Sequence, residues 1–403
     1  MRTTIYTLVL LFLVIQVRFS STDMDAQGLS REIIKFSAKF CNELNKNASV
    51  ISSPLSAEYL LALLALGTSD TAHSELLTSL GIPDDDSIRS SFSSVSSKLK
   101  SIKGVTLNVA NNVYIMEGDY DLVPELKKDA ITVFDAGIEK INFSNGAAAA
   151  THINQWVEDK TNKKIKDLLS SDSLNSDTRL VLVNALYFKG TWEKQFEKHL
   201  TSDQPFNVNN NTKINVPMMF REDTFWYGES EGLQAQLLKM NYVGNEASML
   251  VVLPNEIEGL GGLLQKLADG YDLLKDVNQM YSTKVRVTLP KFKIETEIDL
   301  NTLLPKLGIK QIFNQQNSGL TKVLNAPEPL YVSKAIQKAF IEVNEEGAEA
   351  AAATAGSVRV RRSLASVQVF AATRPALWCV LVDRHVTLVA SYRPSAPGPR
   401  DEL

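Results

Sequence analysis

Apolar residues recur at helical spacing early in the chain. Ile33, Phe36, Phe40 and Leu44, with Cys41 beside them, predict an amphipathic helix facing a core. Ser56 to Leu66 continues the helical texture after Ser53-Pro54, and Ile153 to Leu169 predicts a further helix with Trp156, Ile165 and Leu168 on one side. Leu180 to Phe188 is an apolar run, which predicts a strand buried on both faces; Met249 to Leu253, closed by Pro254, predicts another. Val285, Val287 and Leu289 alternate with Arg286 and Thr288. The phase shifts at Pro290, and Phe292 and Ile294 then alternate with Lys291 and Lys293, which predicts one strand interrupted by a bulge. The pattern mixes helix and sheet. It contains no repeat and no linker before residue 395, which argues for one large unit over 21–394.

The two ends carry signals of address. Arg2, the apolar run Ile5 to Val17 and the small residues Ser20 and Ser21 read as a signal peptide over 1–20, too short to span a bilayer. No other apolar run approaches the roughly 20 residues a spanning helix needs. At the other end, 395–403 reads as an exposed tail. Prolines at 394, 397 and 399 preclude regular structure, and Arg400-Asp401-Glu402-Leu403 matches the retrieval signal of endoplasmic reticulum residents, so a retrieval receptor is an expected partner. The expected location is the endoplasmic reticulum lumen and secretory pathway, with some protein secreted. That compartment makes the sequons at Asn47, Asn142 and Asn210 usable for glycosylation. Two cysteines, Cys41 and Cys379, are too few for a disulfide scaffold and read as buried free thiols. A net charge of −4 argues against nucleic acid as a partner.

One segment is written for two conformations. Glu345 to Ser363 reads EEGAEAAAATAGSVRVRRS. Between 348 and 361 its even positions Ala348, Ala350, Ala352, Thr354, Gly356, Val358 and Val360 are small or aliphatic, whereas the charges Glu349, Arg359 and Arg361 are odd. As a strand, it would bury a row of small side chains and point its charges at water. As a loop, it would present the basic cluster Arg359-Val360-Arg361-Arg362 to a processing protease.

Several stretches resemble the serpin family across nearly the whole mature chain. Ser53-Pro54-Leu55-Ser56 with Leu66-Gly67 resembles its early helix motif. Asn184-Ala185-Leu186-Tyr187-Phe188-Lys189-Gly190-Thr191-Trp192 is similar to its central motif. Leu289-Pro290-Lys291-Phe292, Leu307-Gly308-Ile309 and Ala339 to Gly347 fit as well, and Ala350, Ala351, Ala352, Ala353 and Thr354 match the hinge of inhibitory members. The resemblance implies an α+β serpin fold of three β-sheets with eight or nine helices, a metastable native state, and an exposed reactive loop over about 345–369. It also implies a hinge made of Glu345, Gly347, Ala348, Ala350 to Ala353 and Thr354. A monomeric inhibitor with no enzymatic activity and no cofactor is expected. Three departures stand out. Ser391-Tyr392-Arg393 replaces the family's usual Gly-Arg, Gln337 stands where many members carry His, and the hinge is one residue long if cleavage follows Arg362.

Three arginines within four residues set the expected target class. Arginine binds carboxylates bidentately and is always charged. Arg359, Arg361 and Arg362 together suit the acidic subsites of subtilisin-like convertases of the furin type, which prefer R-x-R-R, so the reactive bond is expected between Arg362 and Ser363. The competing register, after Arg361, suits a trypsin-like protease. Two other readings are a maturation site of the chain itself and a non-inhibitory chaperone of the endoplasmic reticulum. The Ala350–Ala353 run argues against the chaperone. No G-x-S-x-G, H-E-x-x-H or metal-spaced Cys/His cluster points to a hydrolase, and His73, His152, His199 and His385 are scattered as structural histidines would be.

Overall fold

A central sheet of five strands runs in the order β10 (Phe292–Asp299), β11 (Val332–Val343), β4 (Leu180–Gly190), β2 (Val105–Met116) and β3 (Gly137–Ile141). It belongs to a computed structural model that describes residues 26–44, 48–347, 367–383 and 385–394. The pairs β11–β4 and β2–β3 are parallel; β10–β11 and β2–β4 are antiparallel. β4 is buried at every position except Lys189, as its apolar run predicts for a strand covered on both faces.

The second sheet has nine strands. Its path is β1 (Val50–Ser52), β14 (His385–Ser391), β13 (Leu377–Val382), β8 (Ala247–Pro254), β7 (Ala235–Asn241), β6 (Lys213–Ser230), β9 (Tyr281–Pro290) and β12 (Gln368–Ala371), with β5 (Ser202–Asn207) also on β6. The 18-residue β6 serves two sections: β5 and β9 pair with its first part, and β7 pairs with its last residues. Because β6 is shared by both sections, they form one continuous hydrogen-bonded sheet beside the central sheet, where the resemblance implied separate sheets.

Nine α-helices lie among the described residues: α1 (Ala26–Asn42), α2 (Pro54–Leu66), α3 (Asp70–Leu80), α4 (Asp85–Ser101), α5 (Pro124–Thr132), α6 (Gly146–Lys160), α7 (Leu260–Ala268), α8 (Leu273–Gln279) and α9 (Leu300–Leu303). α2 starts where its sequence says it should. Ser53 Oγ accepts from the Ser56 amide, and Pro54 occupies the first turn, where no amide is needed. Every residue of α2 is buried. The two sheets pack face to face through Leu186, Phe188, Ile341, Met218, Tyr227 and Trp378, while α6 covers the opposite face of the central sheet through Ile153 and Val157.

Two expectations are corrected. The helix predicted over 153–169 is α6, which begins earlier and stops at Lys160. Asn162 and Lys163 adopt left-handed backbone (φ 52° and 59°), which a helix cannot continue through. Ile165 and Leu168 are still buried, held by an irregular segment that Asn154 clamps at Leu169 with bonds of 2.8 Å in both directions. The phase shift at Pro290 is not a bulge. β9 lies in the larger sheet and β10 in the central one, and Lys291, the residue between them, donates its amide to Pro217 O (2.8 Å). A chain that changes sheets must turn its buried face, and the alternation shifts there.

Cys41 and Cys379 are free and buried, as expected. Burial pushes the Cys41 thiol up to about 12 and that of Cys379 well above its ordinary value. The unusual C-terminal residues are well anchored. Tyr392 stacks on Phe292 (centroids 4.6 Å apart, 14° between planes), and Arg393 exchanges backbone bonds of 2.9 Å with Ser49 Oγ.

Candidate functional site

The ladder between the parallel neighbours β4 and β11 runs from Leu180/Val332 to Tyr187/Phe340. Both strands continue for three more residues, to Gly190 and Val343, without pairing to each other. The central sheet is thus open between these strands at the end where β11 finishes, just before Asn344 to Gly347.

The chain beyond β11 is clamped at this opening by the segment that follows β4. Trp192 donates its amide to Glu346 O (3.0 Å) and its ring N–H to Asn344 O (2.9 Å); the Phe196 amide donates to Glu345 O (2.8 Å). Trp192 is held flat against Tyr242, with centroids 4.4 Å apart and 11° between planes. Glu345 is buried. Its carboxylate accepts from Thr201 Oγ1 (2.9 Å) and pairs with Lys291 Nζ (2.9 Å). Burial pushes the Glu345 carboxyl up, but the hydrogen bonds from Lys291, from its own amide and from Thr201 outweigh that and hold it below the ordinary value. Glu346 pairs with Lys198 outside.

Gly347 closes the clamp with φ +99°, a conformation side chains resist. A Cβ there would stand 2.3 Å from Gly190 O and 2.5 Å from Trp192 N. Only glycine lets the chain turn this close to the end of β4.

A second lock sits midway down the β4–β11 ladder, where Gln337 faces Asn184. Gln337 is fully buried. Its Oε1 accepts from the Ser53 amide (3.0 Å), and its Nε2 donates to Ser53 O (2.8 Å) and Asn184 Oδ1 (2.6 Å). Asn184 in turn donates to Ser56 Oγ and Asn111 Oδ1, and Ser53 Oγ donates to Thr387 O (2.8 Å). An amide both donates and accepts, so glutamine fills this position with every polar atom paired. The cluster ties β11, β4, β2, the start of α2 and β14 together.

Of the predicted site residues, Glu345 and Gly347 are placed at the clamp. Ala348, Ala350 to Ala353, Thr354, Arg359, Arg361, Arg362 and Ser363 lie outside the described residues, as do Asn47 and Arg400 to Leu403. Asn142 and Asn210 are exposed. Sequence reasoning noted Trp192 and Lys291 only as motif residues and missed Phe196, Lys198 and Thr201. Nothing local marks them, because their partners lie roughly 50 to 150 positions away. The four histidines are dispersed, with His385 Nδ1 against Ser30 Oγ (3.1 Å) and His73 Nδ1 against Ala65 O (2.9 Å). No group of three or more metal-ligating side chains occurs among the described residues. The arrangement is mechanical: an open sheet, the chain after β11 clamped at its mouth, and a lock across the seam.

The family model for serpins (serine protease inhibitors) matches residues 31–389. Antitrypsin of Bombyx mori is 45% identical over 354 residues, covering 86% of this chain and 89% of that protein. Alaserpin of Manduca sexta is 40% identical over 337 residues, covering 83% of this chain and 86% of its own length. Among solved structures, Serpin48 of Tenebrio molitor superposes with a TM-score of 0.82 at 32% identity, covering 93% of this chain and all of that one.

Proposed function

We propose that this chain, which belongs to the serpin family of serine protease inhibitors, is a suicide substrate for furin-type proprotein convertases, cut between Arg362 and Ser363. The observation that carries the reading is the Arg359-Val360-Arg361-Arg362 cluster, set at the far end of a small-residue segment that starts at the clamped Gly347. Two arginines ahead of the one at the scissile bond ask for several acidic subsites at once.

The protease serine attacks the Arg362 carbonyl. The Arg362–Ser363 bond breaks, the leaving amine takes a proton, and an ester remains on Arg362. Freed at that end, the segment after Gly347 runs back along β11 and enters the seam between β11 and β4. The entering strand exchanges one parallel ladder for two antiparallel ones. Serpin loop insertion is itself an instance of strand addition to an open sheet. The seam is already unpaired at the hinge end, so entry starts where no ladder has to break. The small even-numbered residues turn to the core and the charges to water. The acyl-enzyme is carried along and deformed before water can release it.

Retrieval through Arg400 to Leu403 would keep the inhibitor in the compartments where convertases mature. A monomer, glycosylated at exposed Asn142 and Asn210, fits the reading.

Incubation with furin should give a complex that survives denaturing electrophoresis, and the released C-terminal peptide should begin at Ser363. A peptide beginning at Arg362 would move the bond to Arg361 and favour a trypsin-like target, the alternative supported by the usual spacing from Gly347 and by the name of the silkworm relative. Arg359→Ala should weaken convertase inhibition strongly and spare any inhibition of trypsin.

A further inference from the structure

Next to the clamp, the Glu193 amide donates to Asn241 O (3.0 Å), and both residues wall a cavity of about 230 Å³. The cavity lies where β6 passes from one section of the larger sheet to the other. Trp226, Lys239, Thr224 and Ser282 complete most of it. Trp226 is 41% exposed, an uncommon allowance for an indole in a well-packed sheet.

The β6–β7 register sets Lys239 directly opposite Trp226, and the Lys239 Nζ stands 5.0 Å from the centre of the Trp226 ring. No described carboxylate pairs with Lys239. The other lysine in the wall is already matched: Lys194 Nζ lies 3.0 Å from Asp223 Oδ1 and donates to Thr224 O (2.6 Å). Glu193, the carboxylate in the wall, is exposed to water. Burial holds the Lys239 ammonium below its ordinary value. A half-buried cation that has lost hydration and gained only a ring face is short of an anion.

We propose that this cavity is a binding site for small organic anions that carry a flat apolar group, with the anion on Lys239 and the flat group against the exposed part of the Trp226 ring. The charge-assisted bond would replace the hydration Lys239 has lost, and ring stacking would cover the indole. Thr224 and Ser282 offer hydroxyls for the remaining anion oxygens. The site is independent of the inhibitory reading, since it is complete in the uncut protein and uses no residue of the reactive segment.

The test is titration of the intact full-length protein with 2-naphthoate and its neutral isostere 2-naphthamide, followed by calorimetry or equilibrium dialysis. Naphthoate should bind saturably with one site per chain and at least tenfold more tightly than naphthamide. Lys239→Gln should lose that tenfold preference, and Lys239→Arg should keep it within threefold. Trp226→Ser should weaken both probes. Lys293→Gln, which removes a lysine lying over Phe340 elsewhere, should change nothing, and circular dichroism of each variant reports that it is folded. The proposal is overturned if naphthoate shows no saturable site at millimolar concentration, if naphthamide binds as tightly, or if folded Lys239→Gln binds naphthoate like the parent.

Discussion

Lys291 Nζ lies 2.9 Å from Glu345 Oε2, and through this pair the crossover between the two sheets holds the chain that follows β11. Lys291 is the residue at which the chain leaves β9 for β10, and Glu345 follows the end of β11 by two positions. The pair therefore bolts the mouth of the central sheet from one side, while Trp192 bolts it from the other.

The Glu345 carboxyl is held below its ordinary value of 4.5, so its contribution to stability has a definite sign with pH. It is complete above that ordinary value and is lost as pH falls through the lower value of the folded protein. Glu345→Gln should cost about 1–2 kcal/mol at pH 7, a figure kept small because the Lys291 side chain is 44% exposed. Urea unfolding of both proteins should show the gap closing toward pH 3. A gap that stays constant would mean the ion pair carries none of it.

Gln337→Leu should be the most damaging single change in the seam. It keeps the volume but strips partners from the Ser53 amide and from Asn184 Oδ1, both buried. Each orphaned group costs about 1–3 kcal/mol. The melting temperature should fall by many degrees, and the uncut variant should insert its own loop or polymerise on mild heating, visible on native gels. A variant that melts with the parent would show that the lock is dispensable.

Gly347→Ala adds one methyl group where backbone stands 2.3 Å away and φ is +99°. The left-handed conformation alone costs about 1–2 kcal/mol. The hinge should leave the clamp, freeing Trp192 from the Asn344 and Glu346 carbonyls. Its fluorescence should shift to the red, with faster proteolysis after Gly347. An unchanged spectrum would place the turn elsewhere.

Ala348→Arg should turn the inhibitor into a substrate, because insertion would bury an unpaired charge at a cost of several kcal/mol. Glu349→Arg, on the outward side, should inhibit nearly as well as the parent. The measurement is the number of inhibitor molecules consumed per protease molecule trapped. Equal values for the two variants would refute insertion by alternate faces.

Deleting Asp401 to Leu403 should move the protein from the endoplasmic reticulum into the medium without changing inhibition in the test tube. Fractionation and immunoblotting of transfected cells decide it; equal partition of both forms would show that the tail is not read.

Much of this molecule is legible in one dimension. The cap and first turn of α2 are written in Ser53-Pro54, and β4 and β8 are written as apolar runs between breakers. Those signals are local: a capping hydroxyl acts within three residues, and burial on both faces needs only apolar side chains in sequence. Where a helix stops was harder to read. Ile165 and Leu168 kept the apolar spacing of α6 beyond its end, since a loop can bury side chains as well as a helix can.

The small-residue row after Gly347, the basic cluster and the two end signals are legible in the chain itself, because the protease and the receptor proposed for them would read them as linear text. Gln337 and Glu345 stand out in the sequence, but the opening between β4 and β11 and the partners that make the amide lock and the clamp have no linear trace. Those partners come from remote positions, and the energies that hold a hinge at the mouth of an unfilled sheet arise only when those positions are packed together.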